Sequence, residues 1–196
     1  MSRRIGILGG SFDPPHLGHL ALAQAAHSEL DLDVVHIIPA AQAPLKDSAP
    51  RATASDRILM LRLAFDLHSW AVIDGREVSR GGVSYSIDTA RELHAENPGD
   101  EFYWILGADQ LARLHLWRDA VALCGLVKFA VLLREGENTK ADVSLAAVAK
   151  VVYLKAPLVN VSSSEVRQAL AEGRSTGKTL LPAVSDCIQA RNLYHT

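Results

Sequence analysis

Short β-branched runs recur along this chain at intervals that leave room for a helix between them, and this alternation constrains the fold more than any other feature. The runs are Arg4–Leu8, Asp33–Pro39, Trp70–Ile73, Glu101–Gly107, Leu126–Leu133 and Val151–Leu154. Each has strand length and is bounded by glycine, proline or polar residues. Helical patterns are expected at Leu17–Leu30, Ser55–Leu67, Ser86–Asn97, Ser162–Gly173 and Pro182–Tyr194, with one or two further turns within Asp109–Leu123. The stop after Asn97 is written in Asn97-Pro98-Gly99. Strands separated by helices of this length predict a parallel sheet with right-handed crossovers. The expected fold is therefore α/β: a Rossmann-like, doubly wound parallel sheet with helices on both faces. A chain of 196 residues fits one domain (1–196), its part from about residue 162 helical. In such sheets a ligand sits beyond the carboxyl ends of the strands, where the strand order reverses.

The segment that follows the first strand is GGSFDPPHLGH, Gly9–His19. Gly9 and Gly10 suit close backbone approach and unusual φ, and Pro14 and Pro15 stiffen the turn. A helix begins at His16-Leu17-Gly18-His19, and a helix start offers unpaired N–H groups and partial positive charge to a phosphate. Gly18 leaves that approach open. His16 and His19, three apart, share one face and can donate to one phosphate chain. The fitting chemistry is nucleotidyl transfer, in which the attacking group is itself a phosphate, ionised at neutral pH, so no side-chain base is required. Catalysis then reduces to alignment and to stabilising charge that develops on phosphate oxygens. A zinc pair is the competing use of two histidines, but no third ligand is well placed.

Composition removes several classes. A net charge of −2 argues against non-specific nucleic-acid binding while leaving room for a local phosphate site. No apolar run has the length of a bilayer span, and MSRRIGILGG reads as a first strand, not a leader. Cys124 and Cys187 lack metal-ligand spacing and read as reduced thiols. A cytoplasmic enzyme without membrane or nucleic-acid partners is expected, with homo-oligomerisation left open.

The loop GGSFDPPHLGH resembles the signature of the HxGH nucleotidyltransferase superfamily, and collinear blocks along nearly the whole chain are similar to those of the bacterial nicotinate-nucleotide adenylyltransferases. That resemblance implies a reaction of ATP with nicotinate mononucleotide to give deamido-NAD and pyrophosphate. It implies catalytic roles for His16, His19, Lys46 and Arg167. Lys46 lies in Pro44-Leu45-Lys46, where the family usually has Pro-His-Lys, so the lysine carries over and the histidine does not; Arg51 follows in the same block. ATP is expected against Gly9, Gly10, Ser11, Phe12, Gly18, Gly107, Asp109, Ser163 and Ser164. Gly107 and Asp109 come from ILGADQLARLHLW, with the acid near ribose hydroxyls. Ser163, Ser164 and Arg167 come from VSSSEVR. The mononucleotide is expected against Ser84, Tyr85, Ser86, Ile87, Trp117 and Arg118, with Trp117 stacking on the pyridine ring; the family often has another aromatic where Arg118 stands. Mg²⁺ is expected to arrive with ATP, held by phosphates and water, with no dedicated metal site.

Two readings of the residues themselves compete with these roles. Ser162 and Glu165 form a capping-box pattern, and Ser86, Asp88 or Asp109 can serve as helix caps. GRSTGKT, Gly173–Thr179, mimics a P-loop but is one residue short and follows a helix, so it is expected to be a surface loop. Alternatives at the level of function are a transferase for nicotinamide mononucleotide or pantetheine phosphate, a non-catalytic nucleotide-binding protein, and an NAD-dependent oxidoreductase. The last is disfavoured because the first loop lacks G-x-G-x-x-G.

Overall fold

The computed structural model describes residues 2–46, 48–133, 145–155, 159 and 161–194. Its centre is a six-stranded, all-parallel sheet: β1 (Arg4–Gly10), β2 (Val34–Pro39), β3 (Ala71–Ile73), β4 (Glu101–Gly107), β5 (Lys128–Leu132) and β6 (Val151–Leu154), in the order β3-β2-β1-β4-β5-β6. This is the doubly wound arrangement expected, and its order reverses between β1 and β4.

The strands are nearly continuous apolar runs because both faces are covered. In β4, Phe102, Trp104 and Leu106 enter one core while Tyr103 and Ile105 enter the other. One layer consists of α1 (Leu17–Glu29), α2 (Ala54–Phe65), α7 (Ser163–Ala171) and α8 (Pro182–Ala190), which bury Ala23 and Ala26, Met60 and Leu61, Val166, and Val184 and Ile188. The opposite layer carries α4 (Ser86–Glu96), α5 (Ala108–Ala112) and α6 (Ala120–Leu126), with Ile87, Leu93, Leu111 and Leu123 inside.

Three local departures bear on function. A short helix, α3 (Arg76–Arg80), has no counterpart in the sequence reading. The segment expected to hold one or two turns breaks into α5, a 3-10 turn at Leu114–Leu116, and α6. Finally, α8 stops at Ala190 instead of reaching Tyr194. Asn192 takes a left-handed φ of 50°, and the Leu193 N–H returns to the Ile188 carbonyl at 3.0 Å. This is the geometry of a helix C-terminal stop, and it turns Leu193 and Tyr194 back onto the core.

Candidate active site

β1 does not end at Leu8 but runs on through both glycines, with Gly9 beside Ile38 and Gly10 beside Pro39. Neither glycine has a left-handed backbone; that conformation falls on Phe12, φ 48°. A side chain at Gly10 would come within 3.1 Å of the Phe12 ring, so the glycine makes room for that ring to enter the core. Phe12 is 1% exposed. Its side chain is packed in the core, so a contact with ATP, as expected of Phe12, would fall to its backbone.

His16 is the N-cap of α1, with extended backbone, and His19 lies one turn in. Their rings stack at 3.7 Å and 24°, and the edge of Phe12 meets His19 at 4.8 Å. The His16 N–H donates to His19 Nδ1 at 3.2 Å. Burial lowers the His16 pKa to about 4, with Glu165 opposing. Burial also holds His19 well below its ordinary value, helped by His16 and Lys46. Both rings are thus neutral near pH 7. A side chain at Gly18 would lie 3.0 Å from His16 Nδ1 and 3.1 Å from the Val159 carbonyl. The missing side chain seats the His16 ring, a more specific task than keeping a phosphate path open.

The first turn of α1 is less available to a phosphate than expected. Its Leu17 N–H donates to the Thr179 carbonyl at 2.9 Å. Thr179 closes GRSTGKT, so this segment is no P-loop, but it is also more than a surface loop: Thr176 is buried and the segment caps α1.

Positive charge comes from elsewhere. The carboxylate of Asp13, 5% exposed, accepts the N–H groups of Arg51 at 2.8 Å and Ala52 at 3.0 Å, and the Tyr194 hydroxyl at 2.8 Å. Arg167 Nη1 donates to the Asp13 backbone carbonyl at 2.7 Å and lies 3.8 Å from its Oδ2. Arg57, buried on α2, donates through Nη1 to the Ser11 carbonyl at 2.7 Å. Desolvation, then Arg167 and Arg57, pull the Lys46 ammonium below its ordinary pKa, against the attraction of Asp13. Three cations thus share one carboxylate. Ser11, Asp13, Lys46, Ser48, Arg51 and Arg167 line a cavity of about 110 Å³ between them. Among the described residues, three buried side-chain polar atoms lack a partner: His16 Nδ1, Arg57 Nε and Arg167 Nε. Each such atom costs about 1–3 kcal/mol unless something polar meets it, and all three belong to side chains gathered around the Ser11–His16 loop.

The other expected residues of this half have mixed duties. Ser162 and Glu165 complete the capping box of α7, with the Glu165 N–H on Ser162 Oγ at 3.2 Å and the Ser162 N–H on Glu165 Oε2 at 2.8 Å. Ser163 Oγ donates to the Pro14 carbonyl at 2.9 Å, and Ser164 Oγ accepts from Arg167 Nη2 at 3.1 Å. The two hydroxyls tie α7 to the first loop and to Arg167, which leaves the helix N–H groups as the freer donors. Asp109 makes no cap bond; its exposed carboxylate folds back toward Gly107, where a Cβ would sit 2.9 Å from Oδ1.

The remaining expected residues gather around α4 and the turn before α6. Ser84 is buried. Its Oγ accepts the Ala41 N–H at 2.9 Å, while its own N–H donates to the Gln42 carbonyl at 2.9 Å. It therefore anchors the segment that leads to Lys46. The Ile87 side chain is fully buried in the core, so a contact with the mononucleotide, as expected of Ile87, would fall to its backbone in the first turn of α4. Tyr85 is the N-cap of α4 and Ser86 its first residue, neither with a side-chain cap bond. The Arg118 guanidinium lies 4.6 Å over the Tyr85 ring and 3.8 Å from Asp88. Trp117 stands edge-on to Trp104 at 6.1 Å. Tyr85 and Arg118 are thus neighbours, and an aromatic face is present although the residue after Trp117 is not aromatic.

Sequence reasoning missed Asp13, Arg57 and Tyr194. Asp13 stood in plain view within FDPP; Arg57 was signalled only by being a charge amid the apolar positions of α2.

Residues 7–169 match the cytidylyltransferase-like family. A protein of Opitutus terrae named "Probable nicotinate-nucleotide adenylyltransferase" is 43% identical, with 88% of each chain covered. One of the same name from Bordetella petrii is 42% identical, covering 98% of this chain and 99% of its own. The fold matches that of Plasmodium falciparum nicotinic acid mononucleotide adenylyltransferase complexed with NaAD, at a TM-score of 0.82 and 21% identity, over 98% of this chain and 97% of that one. The order of the strands, the paired histidines where that order reverses and these likenesses agree: the chain is a nucleotidyltransferase of the cytidylyltransferase-like family and belongs, within it, to the nicotinate-nucleotide adenylyltransferases.

Proposed function

We propose that this enzyme transfers the adenylyl group of MgATP to the 5′-phosphate of nicotinate mononucleotide, releasing pyrophosphate. The observation that carries the reading is the cluster of Lys46, Arg57 and Arg167 around one carboxylate, beside two neutral imidazoles, where the strand order reverses. An excess of fixed cations in a small polar cavity suits a triphosphate. The acceptor phosphate is already a nucleophile, so it attacks the α-phosphorus in line without a base. His16 and His19 donate to α-phosphate oxygens, and Lys46 and Arg167 take up charge on the departing pyrophosphate. Mg²⁺ enters as part of the MgATP substrate. The exposed Asp109 carboxylate accepts from ribose hydroxyls in this reading, and the start of α7 offers N–H groups to phosphate.

The acceptor end falls to Tyr85, Trp117, Arg118 and the free N–H groups at the start of α4. Trp117 supplies a face for the pyridine ring, and the helix start with Arg118 favours a carboxylate. No helix among the described residues is long and apolar enough to cross a membrane, and Cys124 and Cys187 are free thiols; we place the reaction in the cytoplasm. The test is pyrophosphate release from MgATP with nicotinate mononucleotide, nicotinamide mononucleotide and pantetheine phosphate as acceptors. Preference for the first is expected. Equal kcat/KM for acid and amide overturns the carboxylate preference, and turnover of pantetheine phosphate alone overturns the pyridine assignment.

A further inference from the structure

Lys46 is carried on an arch held at two ends. At the near end, Ala40 N–H donates to the Gly10 carbonyl at 2.8 Å, and the Ala41 N–H and Gln42 carbonyl are bonded to Ser84. At the far end, Arg51 and Ala52 hang by their N–H groups from the Asp13 carboxylate. That carboxylate is itself fixed by Tyr194, whose hydroxyl donates to Oδ1 at 2.8 Å.

Tyr194 is an unusual residue to find there. It is separated from Asp13 by 181 positions, is 8% exposed, and has a left-handed φ of 66°. A bulky aromatic holds that backbone only where its surroundings over-determine it, and such strain concentrates at working sites. Burial, then the Asp13 charge, raises the phenol pKa, so the hydroxyl remains a donor. Nearby, Arg191 Nη1 donates to Asp56 Oδ1 at 2.9 Å, which binds the end of α8 to α2, the helix that carries Arg57.

We propose that Tyr194 is a positioning residue for adenylyl transfer. Its hydroxyl holds Asp13 Oδ1, beside the Ala52 N–H, and so orients the carboxylate with Oδ2 taking the Arg51 N–H and facing Arg167. Without that donor only the Arg51 and Ala52 N–H groups hold the carboxylate, and it can shift toward Arg167 or Lys46. It would then compete with the triphosphate for both cations and release the arch. The inference rests on Lys46 being a phosphate ligand, as argued above.

The test uses the full chain with Tyr194→Phe, which keeps the ring and removes the hydroxyl. Backbone amide exchange should rise by about tenfold or more at Arg51 and Ala52, while amides of β4 stay unchanged. kcat/KM for MgATP should fall by about tenfold, with KM for nicotinate mononucleotide changed by less than about twofold. In a Lys46→Ala background the same substitution should cost less than about threefold, because the two residues act in series. Undiminished loss in the Lys46→Ala background overturns the positioning role. Exchange that is unaltered at Arg51, or that rises equally in β4, overturns it too. A Lys46→Ala enzyme with normal turnover removes the phosphate-ligand reading first, and the inference with it.

Discussion

The two ends of the site are built to different standards. On the triphosphate side, three distant parts of the chain converge on Asp13 in the loop after β1: the end of the arch, α7 and the segment after α8. Asp13, His16, Arg57 and Tyr194 are buried there, and the guanidinium groups of Arg57 and Arg167 are fixed by the Ser11 and Asp13 carbonyls. On the acceptor side, Tyr85, Trp117 and Arg118 are partly exposed, and they are held by a cation–π contact, an edge-on ring pair and a long ion pair. The difference follows what each end must do. Charge that appears only in the transition state is stabilised by groups that need not reorganise. Recognition of a ground-state ring and carboxylate tolerates groups that settle on binding. Substitutions on the triphosphate side should therefore act on kcat, and those on the acceptor side on KM.

The largest effect is expected from His19→Ala. Loss of one fixed donor to a phosphate in transit should lower kcat by about 10²–10³ with little change in either KM. Steady-state kinetics with both substrates checks this, and near-normal kcat would remove His19 from the chemistry.

A test of rigidity on the same side uses pH. His16 in the folded protein titrates near 4 because it is buried, against an ordinary 6.5. Between those values the unfolded chain binds a proton that the folded chain refuses. The contribution is therefore complete above about pH 7 and declines as pH falls through that window, by up to about 3 kcal/mol. Urea unfolding of wild type and His16→Gln at about pH 7.5 and 4.5 should show a smaller acid loss in the variant. An identical loss in both would mean that His16 is not buried as a neutral ring.

The contrast between the two ends also explains what the sequence could reveal. Strand positions were legible because β-branched runs such as DVVHIIP have one reading when both faces are buried. His16, His19 and Arg167 were legible because each sits in a compact local pattern at a helix start. The Asp13–Tyr194 bond was not, since nothing local joins residues 181 apart. One neighbour of Gly18 was hidden for the same reason: beside the His16 ring, a Cβ there would meet the Val159 carbonyl, from a remote part of the chain. α3 was missed because Arg76–Arg80 is too short for a periodic pattern to be visible; its ends are set by Gly75 and by Gly81, φ 72°.

On the acceptor side, Trp117→Ala should raise KM for nicotinate mononucleotide by about tenfold while leaving KM for ATP within about twofold, the loss of one aromatic face. An effect confined to ATP would break the division of the site.

Arg118 gives the smallest and most discriminating effect. Its guanidinium rests on Tyr85 and leans toward Asp88, and its side chain is 54% exposed. An exposed pair with a bound carboxylate is worth about 0.2–1 kcal/mol, because water and salt screen it. Arg118→Gln should therefore lower the ratio of kcat/KM for the acid over the amide by at most about fivefold, and less at high salt. The cation–π contact adds a second consequence. With the guanidinium gone the Tyr85 ring is freed, and both acceptors should lose some affinity together. A ratio that is unchanged while both KM values rise would assign Arg118 to holding Tyr85 and leave selectivity to the N–H groups at the start of α4. A fall far beyond fivefold would mean that the acceptor end is as dry and as fixed as the triphosphate end, and the contrast between them would fail.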